Sequence, residues 1–353
     1  MNLLELGWTD AVARHFQKHR GTGVVPGRVA CVHASLFIVI AESGEYSAKV
    51  SGRFAHTAGS HAEFPAVGDW VAFEPLDGEA KGVIQAVLPR QSAILRKVAG
   101  GTTEQQVLAT NVDTVFLMTA FDRDFNLRRI ERYLTLAWDS GASPAILLNK
   151  ADACDDPDAR LAEVQAIAMG VPVHAISALT QEGLGALRPY VATGRTVALL
   201  GSSGVGKSTL VNALLGVEHM QVGAVREDDH RGRHTTAHRE LIRLPDGGLL
   251  IDTPGLREIQ LWASEEDVER TFEDIADLAS RCRFRDCGHA HEPGCAVREA
   301  VQGGSLDPKR LESYRKLQRE LRYLSRKQDQ SAAAAEKAKW KRIHRELRRM
   351  TKQ

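Results

Sequence analysis

Residues 196–216 read TVALLGSSGVGKSTLVNALLG, and they constrain the architecture more than any other part of the chain. An apolar strand leads into a loop that fits the pattern G-x-x-x-x-G-K-[ST], and an amphipathic helix follows. The glycines permit a loop whose backbone N–H groups converge on phosphate oxygens, and the helix N-terminus adds a favourable dipole. We expect Lys207 to reach the β- and γ-phosphates and the Ser208 hydroxyl to hold Mg²⁺. The predicted phosphate-site residues are Gly201, Ser202, Ser203, Gly204, Val205, Gly206, Lys207, Ser208 and Thr209.

A second phosphate-side motif follows the short apolar strand LLI. It reads Asp252-Thr253-Pro254-Gly255 and begins 45 residues after Lys207. A carboxylate at a strand end can bind the hydration shell of Mg²⁺, and the glycine lets a backbone N–H approach the γ-phosphate. We therefore assign Asp252 and Gly255 to the nucleotide site.

The base motif lies upstream, where the apolar run PAILL leads into Asn149-Lys150-Ala151-Asp152. A carboxylate at Asp152 can accept hydrogen bonds from both N1–H and the exocyclic amine of guanine, a pair that adenine lacks. Asn149 is expected to buttress the loops, and the stem of Lys150 to cover the base plane. A further short strand ends in Ser177-Ala178, which could present a backbone N–H to the guanine O6 atom.

The order of these motifs is unusual, because the base motifs at 149 and 177 precede the phosphate loop at 201. Strands alternate with helices from about residue 110, which predicts an α/β domain with a mostly parallel sheet. Circular permutation preserves such a sheet when the old termini lie close together. It also places the segment after Asp252 next to the C-terminal region, so we hypothesise that nucleotide state moves that region.

Residues 231–237 read RGRHTTA and are predicted to form a polar switch segment. Thr235 and Thr236 are both eligible to complete the Mg²⁺ shell with Ser208, and Thr236 is favoured. Many GTPases place a glutamine directly after the glycine of the Asp252 motif, whereas this chain has Leu256, which cannot hydrogen-bond water. Intrinsic hydrolysis is therefore expected to be slow, with His234 orienting the water; the alternative is a surface histidine without a catalytic role. The predicted catalytic residues are His234, Lys207 and Thr236.

The segments before and after the predicted nucleotide-binding region have sequence patterns that differ from it and from each other. Residues 27–90 hold short β-rich segments separated by Gly, Pro and Asp, which predicts a small β-barrel or sandwich, an oligonucleotide-binding (OB) barrel being one candidate. After residue 262 the chain becomes helical, then Cys-rich, then basic. We predict three domains, over residues 1–99, 100–262 and 263–353.

Three of the five cysteines lie close together with a histidine in the third region. The spacing Cys282-x4-Cys287-x-His289-x5-Cys295 supplies three thiolates and one imidazole, enough to close a tetrahedral structural Zn²⁺ site. His291 competes for the histidine position, and unliganded buried cysteines are the alternative to a metal. This use of cysteine favours a reducing compartment over a disulfide scaffold.

Charge is concentrated at the C-terminal end. Residues 308–353 carry sixteen Lys/Arg against five Asp/Glu, within a chain whose net charge is only +1. A cationic tail on an otherwise acidic chain favours a polyanionic partner, and a solvated helix face is the alternative. Helical spacing within this segment is shown by Leu311, Tyr314, Leu317, Leu321 and Leu324.

No run of 18 apolar residues exists, so neither a membrane span nor a signal peptide is predicted.

The order NKAD, SA, GSSGVGKST, GRHTT, DTPG, CRFRDCGHAHEPGCAV resembles the ribosome small-subunit-dependent GTPase A family (RsgA, also called YjeQ) over nearly the whole chain. The resemblance implies an N-terminal OB-fold, a C-terminal helical zinc domain and GTPase activity. We also expect the protein to be cytoplasmic and monomeric. The resemblance further implies binding to the 30S subunit and 16S rRNA, subunit-stimulated hydrolysis, and a late role in 30S maturation, and it supports His234 as the water-orienting residue. Ala237 and the basic extension after residue 328 depart from the family pattern.

Two other functions remain compatible with the residues alone. One is an RNA-binding or RNA-remodelling module in which the guanine nucleotide is mainly a structural or regulatory ligand. The other is a P-loop ATPase or kinase, against which Asp152 argues.

Overall fold

The computed structural model describes residues 2–21, 23–97, 105–122, 125–217, 239–252, 264–323 and 325–326. The chain divides into two compact units, Met1–Arg96 with Gln106–Gln260, and Lys97–Gln105 with Leu261–Gln353. The predicted barrel and nucleotide-binding regions thus fall in one unit and the Cys/His region in the other. The boundaries near residues 99 and 262 remain predictions.

A closed five-stranded barrel forms the first part of the larger unit. The pairings run β1–β2–β3–β5–β4 and return to β1, with β3 and β5 parallel and the other pairs antiparallel. Its apolar core includes Val29, Phe37, Val39, Phe73 and Ile84. The five strands therefore form a closed barrel, as the sequence predicted. The strands are β1 (Val25–His33), β2 (Leu36–Ala41), β3 (Gly44–Val50), β4 (Trp70–Pro75) and β5 (Lys81–Val87).

The rest of the larger unit is an α/β domain with a mostly parallel sheet. The strand order is β10-β9-β8-β11-β13-β12, in which only β12 runs antiparallel to its neighbour. Strands β8 and β11 are buried at every position, as expected of central parallel strands covered on both faces. Two further strands, β6 (Ala93–Lys97) and β7 (Gln105–Thr110), form a separate two-stranded sheet. The other bounds are β8 (Thr114–Ala120), β9 (Ser143–Asn149), β10 (Val173–Ala175), β11 (Thr196–Gly201), β12 (Glu240–Arg243) and β13 (Leu249–Asp252).

The barrel and the α/β domain share one continuous sheet of eleven strands, because β1 pairs with β12 at Cys31 and Glu240. A buried arginine reinforces this junction. Arg28 of β1, only 1% exposed, donates to the carbonyl oxygens of Gly68 (3.2 Å), Asn111 (3.0 Å) and Leu6. Desolvation lowers the pKa of Arg28 to about 10, so the guanidinium stays charged at neutral pH.

Helices of the larger unit cover the sheet and the barrel. Helix α3 is strongly amphipathic, as its sequence predicts, and buries Ile130, Tyr133, Leu134 and Leu136. The α-helices are α1 (Asp10–Phe16), α2 (Gly52–Thr57), α3 (Leu127–Asp139), α4 (Pro157–Ile167) and α5 (Lys207–Leu215). Short 3₁₀ helices span Leu3–Leu6, Gln17–His19, His61–Glu63, Ala151–Ala153 and Leu184–Leu187.

The smaller unit is helical, with α6 (Glu265–Thr271), α7 (Glu273–Ala279), α8 (Ala296–Gln302) and a helix over residues 308–323, here called α9. Leu311, Tyr314, Leu317 and Leu321 of α9 are buried, as their spacing predicts, while Leu324 lies outside the described residues. Among the helices that the structure describes, none is long and apolar enough to cross a membrane.

Candidate nucleotide site and metal centre

The predicted nucleotide motifs meet at one edge of the α/β sheet. Asn149 ends β9, Gly201 ends β11 and Asp252 ends β13. Strands β9, β8, β11 and β13 are neighbours in that order and are parallel to one another. The carboxyl ends of parallel strands form the usual ligand crevice of such sheets. Circular permutation of the sequence has therefore left the spatial arrangement of the motifs intact.

The phosphate loop adopts a conformation that its glycines make possible. Gly204 and Gly206 have φ values of +83° and +95°, a region that other residues rarely adopt. A Cβ at Gly206 would also overlap the side-chain nitrogen of Asn149. The Lys207 ammonium donates to the carbonyl oxygens of Gly201 (2.8 Å) and Ser202 (2.7 Å), which folds the side chain back over the loop.

Asn149 joins the base motifs to the phosphate loop. Its Nδ2 donates to the carbonyl oxygen of Val205 (2.7 Å), and its Oδ1 accepts from the backbone N–H of Ala178 (2.9 Å). The side chain is only 2% exposed, so both hydrogen bonds are shielded from water. One amide thus holds three loops that are distant in sequence.

The remaining base-motif residues lie around this amide. Lys150 has a left-handed backbone (φ +66°), and its ammonium forms a 2.6 Å ion pair with Asp122 at the end of β8. Asp152 is exposed, and its carboxylate has no hydrogen-bond partner among the residues that the structure describes. Ser177 is buried and accepts a hydrogen bond from the Thr180 N–H (3.0 Å).

The Ala178 N–H, a candidate donor to guanine O6, donates to Asn149 in this structure. On the phosphate side, Asp252 is buried with 7% exposure, and Ser208 and Thr209 lie in the first turn of α5. The switch residues His234, Thr235 and Thr236, together with Gly255 and Leu256, lie outside the described residues.

Arg129, on the first turn of α3, contacts the phosphate loop, and the sequence did not predict it as a site residue. Its Nη1 donates to the Ser202 hydroxyl of the phosphate loop (2.9 Å). The available signal was an arginine pair that opens an amphipathic helix immediately after a buried strand.

The predicted metal ligands come together in the smaller unit. The ligand atoms of Cys282, Cys287, His289 and Cys295 all lie within 4.8 Å of one another, and His291 is not in the group. His289 Nδ1 is 3.6 Å from Cys282 Sγ and 3.5 Å from Cys295 Sγ, and the two sulfurs are 3.9 Å apart. Ligands of a tetrahedral zinc ion are separated by roughly 3.5–3.8 Å, given Zn–S of about 2.3 Å and Zn–N of about 2.0 Å. The donor set and its spacing fit Zn²⁺.

Neighbouring residues fix the metal loop. His289 has a left-handed backbone (φ +58°), and the Glu292 carboxylate accepts from the backbone N–H groups of Gly288 (2.9 Å), Ala290 (2.8 Å) and His291 (2.9 Å). The hydrogen bond from its own backbone N–H, followed by these three bonds, lowers the pKa of Glu292 to about 2. The Arg315 guanidinium of α9 donates to the His289 carbonyl oxygen. Hydrogen bonds from Glu292 and from Arg315 therefore fix the backbone around the ligand His289.

Ionisation of the cluster depends on the metal. Desolvation and the adjacent thiols raise the pKa of Cys287 to about 11, so this thiol keeps its proton at neutral pH in the absence of a metal. Burial and Arg315 lower the pKa of His289, which favours the neutral imidazole that metals bind. Metal binding would therefore release thiol protons.

Comparison with known proteins assigns the family. A family model described as RsgA GTPase matches residues 87–262. The chain is 50% identical over 353 residues to the small ribosomal subunit biogenesis GTPase RsgA of Opitutus terrae, covering 98% of this chain and 96% of the relative. It is 44% identical over 358 residues to the RsgA of Syntrophotalea carbinolica, covering 99% and 98%.

Solved structures agree with this assignment. The crystal structure of YjeQ from Thermotoga maritima matches with a TM-score of 0.63 at 29% identity, covering 83% of this chain and 97% of that one. YloQ, described as a circularly permuted GTPase, matches with a TM-score of 0.60 at 25% identity, covering 88% and 98%. The chain therefore belongs to the RsgA family of circularly permuted GTPases.

Proposed function

We propose that this GTPase binds the small (30S) ribosomal subunit, assists its late maturation, and couples subunit-stimulated GTP hydrolysis to its own release. The observation that carries the proposal is the identity of 50% along almost the whole chain to a relative named for small-subunit biogenesis. The match covers 98% of this chain, so it includes the barrel and the metal module as well as the GTPase core.

The nucleotide chemistry is assigned to particular side chains. Asp152 accepts from the guanine edge, and its exposed carboxylate, without a partner in the described part of the chain, supports that role. Lys207 exchanges two neutral carbonyl partners for the β- and γ-phosphates, because charge-assisted hydrogen bonds to phosphate are stronger. Ser208 and the switch Thr236 bind Mg²⁺, with Asp252 near its hydration shell.

Hydrolysis requires a group that positions the attacking water, and we assign it to His234 because Leu256 has no hydrogen-bonding atom in its side chain. Replacement of His234 by alanine is expected to leave GTP affinity intact and to abolish subunit-stimulated turnover. Unchanged stimulated turnover in this variant would remove His234 from the mechanism.

A basic face of α9 supports an RNA partner. Lys309, Lys316, Arg319, Arg322 and Arg326 are exposed on this helical segment, whereas Arg310 is buried and paired with Asp274 at 2.6 Å. Exposed cations on one helix suit the phosphate backbone of RNA, and we infer that 16S rRNA is the contact. Binding by this face should weaken steeply as salt rises.

The metal centre is proposed to hold one structural Zn²⁺ through Cys282, Cys287, His289 and Cys295. A zinc ion supplies folding free energy to a loop with little apolar core, and four protein ligands leave no open position for catalysis. The residues around it orient the ligand histidine and connect it to α9 through Arg315. Metal analysis of the purified chain should give one zinc per molecule.

The decisive experiment measures GTP turnover by the purified protein with and without isolated 30S subunits. We expect the protein by itself to turn over GTP slowly. Turnover should increase greatly with 30S subunits but not with 50S subunits. Equal rates in all three conditions would instead favour an RNA-binding module in which the nucleotide is a structural ligand. Gel filtration and cell fractionation test the accompanying proposals that the protein is a monomer and is cytoplasmic.

A further inference from the structure

Arg129 lies beside the phosphate loop because of the order of strands in the sheet. Strand β8, which precedes α3, pairs directly with β11, which precedes the phosphate loop. The Arg129 backbone N–H donates to the side chain of Asn126, the N-cap residue of α3 (3.2 Å). The first turn of α3 is therefore fixed, and it directs the Arg129 guanidinium to the Ser202 hydroxyl at 2.9 Å.

Two cations meet at Ser202. The guanidinium of Arg129 binds the hydroxyl, and the ammonium of Lys207 binds the carbonyl oxygen of the same residue at 2.7 Å. A nucleotide phosphate is the anion for which this loop is built, so a phosphate bound there would lie near both cations.

We propose that Arg129 binds the γ-phosphate of GTP from within the same chain and stabilises the charge that develops there during hydrolysis. This inference rests on the nucleotide site proposed above. In a phosphate loop the backbone N–H groups enclose the α- and β-phosphates, so a side chain that approaches from a neighbouring helix reaches the phosphate that protrudes. A phosphate oxygen is a stronger hydrogen-bond acceptor than the Ser202 hydroxyl, so the guanidinium can exchange the hydroxyl for the phosphate.

A cation at the γ-phosphate would stabilise the transition state of hydrolysis in a chain that lacks the usual glutamine. Leu256 occupies the position of the glutamine that orients water in many GTPases. An arginine supplied in cis neutralises transition-state charge in another class of GTPases, where it accelerates hydrolysis by several orders of magnitude. Arg129 supplies charge and His234 is proposed to supply water orientation, so the two roles are complementary.

The test compares affinities for GDP and for a non-hydrolysable GTP analogue, with Mg²⁺, in the full-length protein. Arg129→Ala should weaken analogue binding about tenfold more than GDP binding and slow single-turnover hydrolysis by about 10³-fold, with partial recovery in Arg129→Lys. The matched control is Arg128→Ala, an exposed neighbour on the same turn, which should change neither affinity. Circular dichroism and the midpoint of urea unfolding show whether each variant is folded, and Arg129→Gln replaces the alanine variant if that one does not fold.

Three results separate the possibilities. If Arg129→Ala weakens GDP and the analogue equally, Arg129 only anchors the loop through Ser202 and the proposal is wrong. If it changes neither affinity nor hydrolysis, Arg129 has no role at the phosphates. Failure of the underlying nucleotide site is detected separately, because Lys207→Ala would then retain normal affinity for both nucleotides.

Discussion

The side-chain nitrogen of Asn149 donates a 2.7 Å hydrogen bond to the backbone carbonyl oxygen of Val205. This bond connects the motif that is expected to select the base to the loop that is expected to hold the phosphates, across 56 positions of sequence. The same amide accepts from Ala178. Both ends of the nucleotide site therefore depend on one buried side chain.

Replacement of Asn149 by alanine leaves the Val205 carbonyl and the Ala178 N–H without their shared partner. An unsatisfied buried group costs about 1–3 kcal/mol, so for two groups we expect a loss of about 2–6 kcal/mol in the free energy of unfolding, and weaker binding of GDP and GTP alike. Denaturant unfolding and nucleotide titration measure the two effects. The control, Asp156→Ala, removes the exposed N-cap of α4, should cost only about 1 kcal/mol, and should not alter affinity. Normal affinity in Asn149→Ala would mean that the two loops are positioned independently.

Gly206→Ala tests the close approach of the phosphate loop to the base motif. The new Cβ would overlap the Asn149 side chain at a residue whose φ is +95°, so nucleotide binding should be lost. Gly216→Ala is the matched control, because Gly216 also has a positive φ (+69°) but has open space where its Cβ would lie. The control should lose about 1 kcal/mol of stability and keep its affinity. Equal nucleotide affinity in the two variants would show that the close approach of Gly206 to Asn149 does not control nucleotide binding.

Glu292→Gln tests the support of the metal loop. The carboxylate accepts three backbone hydrogen bonds around His289, and a neutral amide accepts them more weakly, so Zn²⁺ should be lost faster to a chromogenic chelator. Because folding lowers the pKa of Glu292 to about 2, its stabilising effect is complete above the ordinary value near 4.5 and disappears as pH falls towards 2. Glu299→Gln on exposed α8 surface is the control. Identical chelation rates for both variants would show that Glu292 does not support the metal site.

Arg28→Met tests the junction between barrel and α/β domain. The substitution retains volume but leaves the carbonyl oxygens of Leu6 and Asn111 without this donor. The Gly68 carbonyl oxygen keeps only its hydrogen bond from the Asn111 side chain (3.0 Å). We expect a loss of about 3 kcal/mol or more in the free energy of unfolding. Arg195→Ala removes a surface ion pair with Asp113 in which the arginine is 62% exposed, and should cost less than about 1 kcal/mol. Comparable midpoints in urea for the two variants would contradict a structural role for the buried guanidinium.

Much of this architecture is readable from the sequence because its signals are local. The phosphate loop, the Asp252 motif and the Cys/His spacing each fit within a few residues, and each needs a particular backbone or ligand geometry that few other residues supply. Strand ends are equally local, so the convergence of the motifs at one sheet edge follows from parallel pairing. The permuted order changes only the connections between strands.

What the sequence did not predict depends on contacts between distant segments. The pairing of Cys31 with Glu240, which merges barrel and α/β domain into one sheet, has no signal near either residue. Arg28 and Arg129 look like ordinary surface cations in the sequence, and only packing places one in the core and the other on Ser202. The left-handed backbone at His289 is likewise imposed by the hydrogen bonds of Glu292 and Arg315.

The most direct test of the central claim is a titration of Asp152→Asn with guanine and xanthine nucleotides. Xanthine carries a carbonyl oxygen where guanine has its exocyclic amine, so an asparagine can accept from N1–H and donate to that oxygen. GDP affinity should fall by at least about 100-fold, because two charge-assisted hydrogen bonds are lost, while xanthosine diphosphate should bind the variant better than it binds the natural protein. Undiminished GDP affinity in Asp152→Asn would show that this carboxylate does not contact the base, and the proposed nucleotide site would then be wrong.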